Sequence, residues 1–443
     1  MSEIELKRNV IKTGSEKSII LRFILASLVG VFMFFVPVTI NGASSIMIDH
    51  IVSWIRASVP SVVPYYALLV MVMGAIYPFY TKKWNTSIVD ICFSILKVVG
   101  VVFGVLYCLK VGPAWFFAPD VGPFLYEKLV ISVSLLVPIG SAFLALLVGY
   151  GLLEFIGTFC RPIMRPLWKT PGRSAIDAVA SFVGSYSLAL LITNRVYKEG
   201  KYTTKEAAII ATGFSTVSAT FMIIIAKTLD IMHLWNVYFW TTTLVVTFIV
   251  TAITVRLPPL SRKPDTYVTE EGFPEPVYKE KMLERAWEDA LEVSKSAPSI
   301  IKNIAVNLKD GFIMTMGILP SIMSVGLIGI VLAKFTPIFD WVSYIFYPFT
   351  WALQLPEADL AAKAASVGIA EMFLPSLLVV SAPLVTKFVI AVVSVSSILF
   401  FSASIPCILS TDIPLKVSEL IILYVQRTIL TLLIITPIAY LLL

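Results

Sequence analysis

Glu371 is a carboxylate within an apolar stretch of the sequence, Val367-Gly-Ile-Ala-Glu-Met-Phe-Leu-Pro375. On insertion scales a charged side chain at hydrocarbon depth costs about 3 kcal/mol, so it usually faces a cavity or a partner. Such a carboxylate can accept hydrogen bonds from a substrate amine or hydroxyl, bind a coupling cation or carry a proton. It can also close a break in a helix by accepting backbone hydrogen bonds. We expect Glu371 to bind substrate and to be the ion-coupling residue, and the helix-closing role stays open.

Small and hydroxyl-bearing residues form a second group of candidates. Gly184-Ser-Tyr-Ser187 combines a glycine that permits a break in a helix with two serine hydroxyls. The amino ends of the resulting half-helices would favour anionic groups. The candidate substrate-binding residues are Glu371, Gly368, Gly184, Ser185, Ser187, Asn194, Ser215, Ser218, Ser396 and Ser397.

Two further charged residues lie near these segments. Lys363 precedes Glu371 by two turns and can either extend to the membrane interface or pair with a substrate anion. Asp177 lies near the start of the other segment, where it can cap a helix or pair with Arg173.

Serine and threonine are concentrated in two later apolar segments, around Gly213–Thr220 and Val393–Ser404. Each hydroxyl alone can bond to its own helix or allow close helix packing. Together, beside interrupted segments, we expect them to line a wet path.

The elements that position these residues must lie in a membrane. The chain has 443 residues, of which 58% are hydrophobic and 14% charged, with a mean hydropathy of +0.89. A soluble domain has roughly 25% charged residues. Ile19–Ile40, Ile131–Gly151 and Val417–Leu443 are each long enough to cross a hydrocarbon core, which takes roughly 20 residues. The fold class is therefore an all-α integral membrane protein.

We predict about nine transmembrane helices and two re-entrant helical hairpins. The spans are expected near Ile19–Ile40, Pro64–Tyr80, Ile88–Leu109, Ile131–Phe155, Lys205–Thr228, Trp235–Val255, Gly311–Ala333, Lys387–Ser410 and Val417–Leu443. Pro171–Tyr197 and Pro356–Pro383 are apolar but carry internal glycine and polar residues, which favours hairpins that enter the membrane and return.

Charge bias gives the expected topology. Lys7, Arg8, Lys12, Lys17 and Arg22 place the N-terminus in the cytoplasm, and the predicted spans then leave the C-terminus outside. The predicted domains are an N-terminal membrane segment (1–126), a first repeat (127–258), a cytoplasmic linker with an amphipathic helix (259–310) and a second repeat (311–443). Basic residues lie beside the spans and not in one patch, so nucleic acid is not an expected partner.

The chain is also similar to itself at a separation of about 180 residues. In each half a hairpin is followed by a hydroxyl-rich span and a final apolar span. Each half crosses the membrane an odd number of times, so the two repeats must be inverted. Inverted repeats with broken helices place a substrate site near the membrane midplane in secondary transporters.

The segment from Gly184 to Thr220 resembles the hairpin and following span of concentrative nucleoside transporters. Their hairpin tip, Gly-Gln-Thr-Glu, corresponds to Gly184-Ser-Tyr-Ser187 here, and their Gly-Phe-Ala-Thr-Ile corresponds to Gly213-Phe-Ser-Thr-Val217. The layout from Ile131 to Leu443, without the linker, resembles the YjiH-like bacterial membrane proteins, which carry a nucleoside-recognition (Gate) module twice. Ser187 replaces the transporters' tip glutamate, and only the second repeat keeps a carboxylate, at Glu371.

These features predict a secondary active transporter in the cell inner membrane, coupled to Na⁺ or H⁺. The resemblance implies a nucleoside-like substrate first and an amino-acid-like or peptide-like substrate second. The alternative is a non-transporting receptor or assembly subunit that acts with another Gate-domain membrane protein, and homo-oligomers are also possible. No phosphate-binding loop, metal-ligand spacing or nucleophile–base pair occurs, so we expect neither an enzyme nor a metal site or cofactor beyond the coupling ion.

Overall fold

The computed structural model describes residues 3–40, 42–82, 84–85, 88–119, 121–183, 186–217, 219–277 and 280–443. The described residues are mainly helical, and one small β-hairpin departs from the all-α prediction. The hairpin pairs β1 (Pro37–Ile40) with β2 (Ala43–Ile46) in antiparallel register, with Pro37 opposite Ile46. The helices before the first repeat are α1 (Glu3–Phe35), α2 (Met47–Ser58), α3 (Val63–Tyr80) and α4 (Ile88–Leu109).

The first repeat begins with a π-helical segment, Phe124–Val130, that continues directly into α5. Its helices are α5 (Ile131–Val148), α6 (Leu152–Trp168), α7 (Ala175–Val183), α8 (Tyr186–Lys198), α9 (Thr204–Gly213), α10 (Ala219–Thr228), α11 (Trp235–Trp240) and α12 (Thr247–Thr254). A second π-helical segment, Thr241–Val246, joins α11 to α12. Hairpin 1 consists of α7 and α8, inside the range predicted for a hairpin.

The linker and the second repeat complete the chain. The linker helix is α13 (Met282–Ser296), and the second repeat contains α14 (Ile300–Phe335), α15 (Ile338–Ser343), α16 (Tyr347–Ala352), α17 (Ala358–Val367), α18 (Leu374–Leu378), α19 (Leu384–Ser396), α20 (Ser404–Leu409) and α21 (Val417–Leu442). Hairpin 2 consists of α17, the non-helical residues 368–373 and α18. The helix α14 begins within the segment expected to be linker, and it continues across residue 311 without a break.

Six stretches of the described residues are helical, long and apolar enough to cross a membrane. They are Lys17–Phe34, Val63–Tyr80, Ile91–Leu109, Phe124–Val148, Ile300–Phe335 and Val417–Leu442. The predicted spans at Lys205–Thr228 and Lys387–Ser410 are not continuous helices. The first is interrupted at Phe214–Val217, between α9 and α10, and the second at residues 397–403, between α19 and α20. The expected total of about nine spans stays a prediction.

The linker folds onto one end of the helical bundle, which we call the linker face. The amide of Thr204 donates to the carbonyl of Thr266 at 2.8 Å, and the amide of Phe273 donates to the carbonyl of Gly200 at 2.8 Å. The linker helix α13 packs on α1, with the Trp287 and Phe23 ring centroids 5.5 Å apart. The part of α1 around Phe23 and the linker therefore lie on the same side of the bundle.

The two hairpins enter the bundle from opposite ends. Hairpin 1 starts at the linker face, where the amides of Gly172 and Arg173 donate to the linker carboxylate Glu275 at 2.8 and 3.0 Å. Hairpin 2 starts beside Gln354, whose carbonyl accepts a hydrogen bond from Tyr440 at the far end of α21. The helix α21 begins at the linker face, where Glu419 pairs with Lys263 of the linker at 2.7 Å, and its 26 residues extend about 39 Å from there. The predicted inverted repeat is thus confirmed.

Candidate functional site

Glu371 lies in the non-helical part of hairpin 2 and is only 2% exposed. Its Oε2 atom accepts backbone hydrogen bonds from the amides of Phe373 at 2.6 Å and Leu374 at 3.0 Å. These amides belong to the first turn of α18, where helix geometry leaves donors without partners. The carboxylate therefore has the helix-closing role that the sequence left open. Within the described part of the chain, Oε1 makes no hydrogen bond.

The non-helical part of hairpin 2 is paired with the interruption between α19 and α20. The amide of Phe401 donates to the carbonyl of Ile369 at 2.7 Å, and the amide of Ser402 donates to the carbonyl of Ala370 at 2.9 Å. Backbone groups freed at membrane depth must find partners within the protein. Each interruption thus supplies hydrogen-bond partners for backbone groups of the other. This pairing explains why the serine-rich segment is not a continuous helix.

The same relationship occurs in the first repeat. The Ser181 hydroxyl, near the end of α7, donates to the carbonyl of Thr216 at 2.7 Å and lies 3.0 Å from the Thr216 hydroxyl. Thr216 is in the interruption between α9 and α10, so hairpin 1 also binds the broken helix of its own repeat. The neighbouring Ser215 hydroxyl is buried and has no partner among residues whose placement is described.

The start of α8 brings hairpin 1 into contact with the second repeat. The Tyr186 ring packs edge-on against Phe400, with centroids 5.7 Å apart. Ser187 is 1% exposed and its hydroxyl interacts with the Cys407 thiol in α20. The tip of hairpin 1, Glu371 of hairpin 2 and the second broken helix therefore converge. We call this convergence the central site.

Aromatic rings extend the central site on the side of hairpin 2. The rings of Phe124 and Phe373 stack with centroids 6.5 Å apart, and Phe221 meets Phe373 edge-on at 6.0 Å. These phenylalanines come from the π-helical segment before α5, from α10 and from hairpin 2. These rings present flat apolar surfaces near the Glu371 carboxylate.

The remaining predicted site residues have mainly structural contacts. Ser396 shares a hydrogen bond of 2.7 Å with the Thr431 hydroxyl, and the Ser397 hydroxyl donates to the carbonyl of Ser394 at 3.4 Å. A Cβ atom at Gly368 would lie 2.5 Å from the Tyr424 hydroxyl, so only glycine fits there. Gly184, Ser185 and Ser218 lie outside the described residues.

Asn194 lies apart from the central site, on the wall of a cavity of about 650 Å³ near the linker face. It is two turns along α8 from Ser187, about 10 Å away. Its Oδ1 atom accepts a hydrogen bond from the amide of Asp412 at 2.9 Å. Among the predicted site residues only Asn194 lines this cavity, which we call the lower cavity.

The lower cavity is lined by charges of both signs. Its charged residues are Lys97, Arg195, Lys198, Asp310 and Asp412. Arg195 on α8 pairs with Asp310 on α14 at 3.3 Å, and Lys198 lies 3.7 Å from Asp412. These pairs join hairpin 1 to elements of the second repeat.

The structure decides between the contacts that the sequence allowed for Asp177 and for Lys363. Asp177 does not pair with Arg173, because it is fully buried and accepts hydrogen bonds from the hydroxyls of Thr193 at 2.6 Å and Tyr202 at 2.7 Å. Lys363 is 38% exposed and pairs with Asp340 at 2.5 Å, which agrees with a side chain extended to the interface.

Arg427, which was not among the predicted site residues, is 1% exposed inside α21 and binds the carbonyl of Ser396. The available signal was a single arginine within a long apolar helix. Of the four cysteines, Cys407 is buried. Cys92 is exposed, and Cys108 and Cys160 are partly exposed.

Comparisons with known proteins agree with the fold. Residues 130–232 match the family model described as Gate, nucleoside recognition. An uncharacterised protein of Alkalihalophilus pseudofirmus is 33% identical over 98% of this chain and 97% of its own length. The solved structure of a doubly substituted CNTnw in an outward-facing state, a concentrative nucleoside transporter, aligns with a TM-score of 0.50 at 14% identity. That alignment covers 95% of this chain and 99% of the other.

Proposed function

This chain belongs to the family of multi-pass membrane proteins that carry a nucleoside-recognition (Gate) domain, and from that premise we propose that it is a secondary transporter. The observation that carries the proposal is the central site. Two hairpins from opposite faces meet there against the interrupted helices: Tyr186 at the start of α8 packs on Phe400, and the two residues after Phe400 bond to the backbone of hairpin 2. Interrupted helices at a repeat interface form the substrate site in many secondary transporters.

A nucleoside-like substrate fits the chemistry of the central site best. The rings of Phe373, Phe124 and Phe400 offer flat apolar surfaces for a base. The free Oε1 atom of Glu371 offers an acceptor for sugar hydroxyls or for an exocyclic amine. Amino-acid-like or peptide-like substrates are the second choice, because their ammonium group would also pair with Glu371.

Coupling to Na⁺ or H⁺ is part of the proposal. Glu371 can take up a proton or contact a cation through Oε1, and the Ser215 hydroxyl is a further buried oxygen in the first broken helix. In this scheme the lower cavity, with Asn194 and its ion pairs, is the path between the central site and the linker face. The basic residues of the linker face favour a cytoplasmic position for that face. In this proposal the protein lies in the cell inner membrane.

The test is uptake by the purified chain in liposomes. Labelled nucleosides, nucleobases, amino acids and dipeptides are offered under Na⁺ and proton gradients, with protein-free liposomes as the blank. We expect saturable uptake of a nucleoside-like compound that collapses when the gradient is removed. Saturable uptake of an amino acid or dipeptide alone would replace the first substrate choice by the second.

The alternative is a receptor or assembly subunit, and one observation favours it. The Oε2 atom of Glu371 is committed to the amides of α18, so the site's carboxylate also serves the fold. Absence of saturable uptake for every compound, together with stable co-purification of a second Gate-domain membrane protein, would establish this alternative.

A further inference from the structure

Arg427 is a buried cation near the middle of α21. It is the eleventh residue of a 26-residue helix, about 15 Å from the helix start. Only 1% of the side chain is exposed, and it is among the largest fully buried side chains of the described residues. A charge at this depth requires compensation by the protein.

The guanidinium binds the carboxyl end of the second broken helix. Its Nε and Nη2 atoms both donate to the carbonyl oxygen of Ser396, at 3.0 and 2.8 Å. Ser396 is the last residue of α19, before the interruption. Carbonyl groups at the carboxyl end of a helix lack helical partners and carry partial negative charge.

The same guanidinium is connected to the carboxyl end of the first broken helix. Its Nη1 atom donates to the Thr251 hydroxyl at 3.1 Å. That hydroxyl lies 2.8 Å from the carbonyl oxygen of Gly213, the last residue of α9, and 2.7 Å from that of Thr247 in its own helix. A Cβ atom at Gly213 would lie 2.4 Å from the Thr251 methyl group, so glycine is needed for this approach.

The charge of Arg427 is compensated by carbonyl and hydroxyl dipoles. Across the described ranges its partners are the Ser396 carbonyl and the Thr251 hydroxyl, and it forms no ion pair. Carbonyl ends of half-helices are also the groups that coordinate Na⁺ in transporters with broken helices. The guanidinium therefore stands where a free cation would have suitable ligands.

We propose that Arg427 is a built-in cation that joins the carboxyl ends of both broken helices and takes the place of a free ion there. Consequently the Ser396 and Gly213 carbonyls need no bound Na⁺, and a coupling ion uses other oxygens, such as Oε1 of Glu371 or the Ser215 hydroxyl. The assignment depends on the contacts of Arg427 and goes beyond the proposed transport function, since it holds for a receptor as well.

Chemical rescue tests the proposal. Arg427→Ala leaves a space of guanidinium size beside the two carbonyl ends. We expect the purified variant in detergent to unfold several degrees below the wild type, and millimolar guanidinium to restore much of that loss. Urea, which has a similar shape but no charge, is the matched control, and the wild type should respond to neither compound. Equal rescue by urea, or no rescue by guanidinium, would overturn the proposal.

A pair of variants at Thr251 tests the connection between the two broken helices without removing the charge. Thr251→Val removes the hydroxyl and keeps the volume, so we expect a lower unfolding temperature that guanidinium does not restore. Thr251→Ser keeps the hydroxyl and should behave like the wild type. An unfolding temperature of Thr251→Val equal to that of the wild type would refute the link to the first broken helix. This test applies even if Arg427→Ala cannot be purified in folded form.

Discussion

The amide nitrogen of Phe401 lies 2.7 Å from the carbonyl oxygen of Ile369. This bond joins an interrupted helix to the hairpin that precedes it, and it is repeated one residue later between Ser402 and Ala370 at 2.9 Å. Hairpin 2 and the second broken helix therefore form one unit. A movement of the hairpin must either carry the interrupted segment with it or break these bonds.

Glu371 has two separable roles, and two substitutions distinguish them. Glu371→Gln keeps an oxygen that can accept the amides of Phe373 and Leu374 but removes the charge, so we expect normal folding and loss or uncoupling of uptake. Glu371→Ala also removes the cap, which should lower the free energy of unfolding by about 0.5–2 kcal/mol. Thermal unfolding and liposome uptake are measured together.

The control for Glu371 is Glu357→Gln, which alters an exposed carboxylate at the start of the same hairpin. It should leave both stability and uptake unchanged. Unchanged uptake in Glu371→Gln would remove Glu371 from the transport mechanism.

The opposite entry of the two hairpins predicts opposite labelling. After replacement of the accessible native cysteines, Glu357→Cys should react with an impermeant maleimide from outside the cell. Lys169→Cys, before hairpin 1, should react with the same maleimide only after the membrane is permeabilised. Both positions are exposed, whereas the neighbouring Thr170 is fully buried and unsuitable. Labelling of both from one side would refute the inverted topology.

The linker is held to hairpin 1 by one carboxylate. Glu275 accepts hydrogen bonds from the amides of Gly172 and Arg173, and it also lies 3.5 Å from Arg161. Glu275→Ala leaves these buried donors without a partner, at a cost of about 1–3 kcal/mol. We expect faster trypsin cleavage after Arg262 because the linker detaches more often.

Glu271→Ala is the matched control for Glu275, because Glu271 is an exposed carboxylate of the same linker. Its cleavage rate should equal that of the wild type. Equal rates for both variants would mean that Glu275 does not hold the linker in place.

The membrane-spanning helix predicted at Ile131–Phe155 ends at Val148 in the structure, so the ion pair of Glu154 with Lys201 lies beyond it and predicts loss of stability in acid. Burial alone would raise the pKa of Glu154, but the Lys201 ammonium, 2.8 Å away, and the Arg173 guanidinium together hold that pKa below its ordinary value. A carboxylate with a lowered pKa in the folded state stabilises the fold above its unfolded pKa, and this contribution disappears as pH falls through the folded value.

Glu154→Gln should therefore reduce the decrease in unfolding temperature between neutral and acidic pH. Glu284→Gln alters an exposed pair with Lys281 and should leave that decrease as it is in the wild type. An identical pH profile for Glu154→Gln and the wild type would contradict the assignment.

The sequence alone determined the class of protein and the position of both hairpins, and it predicted Glu371 as a site residue. Hydropathy reports the transfer of whole segments into lipid, and a carboxylate within such a segment is visible without a structure. It also indicated the inverted repeat, since the order of segments and the parity of crossings are properties of the chain.

Only the tertiary structure decided where the serine-rich helices break and what Arg427 does. The interruption at residues 397–403 exists because Ile369 and Ala370, some 30 residues earlier, supply the missing backbone partners. Arg427 reaches Thr251 across 176 positions of the chain. A hydropathy pattern contains no information about such distant partners, because they are brought together only when the two repeats pack.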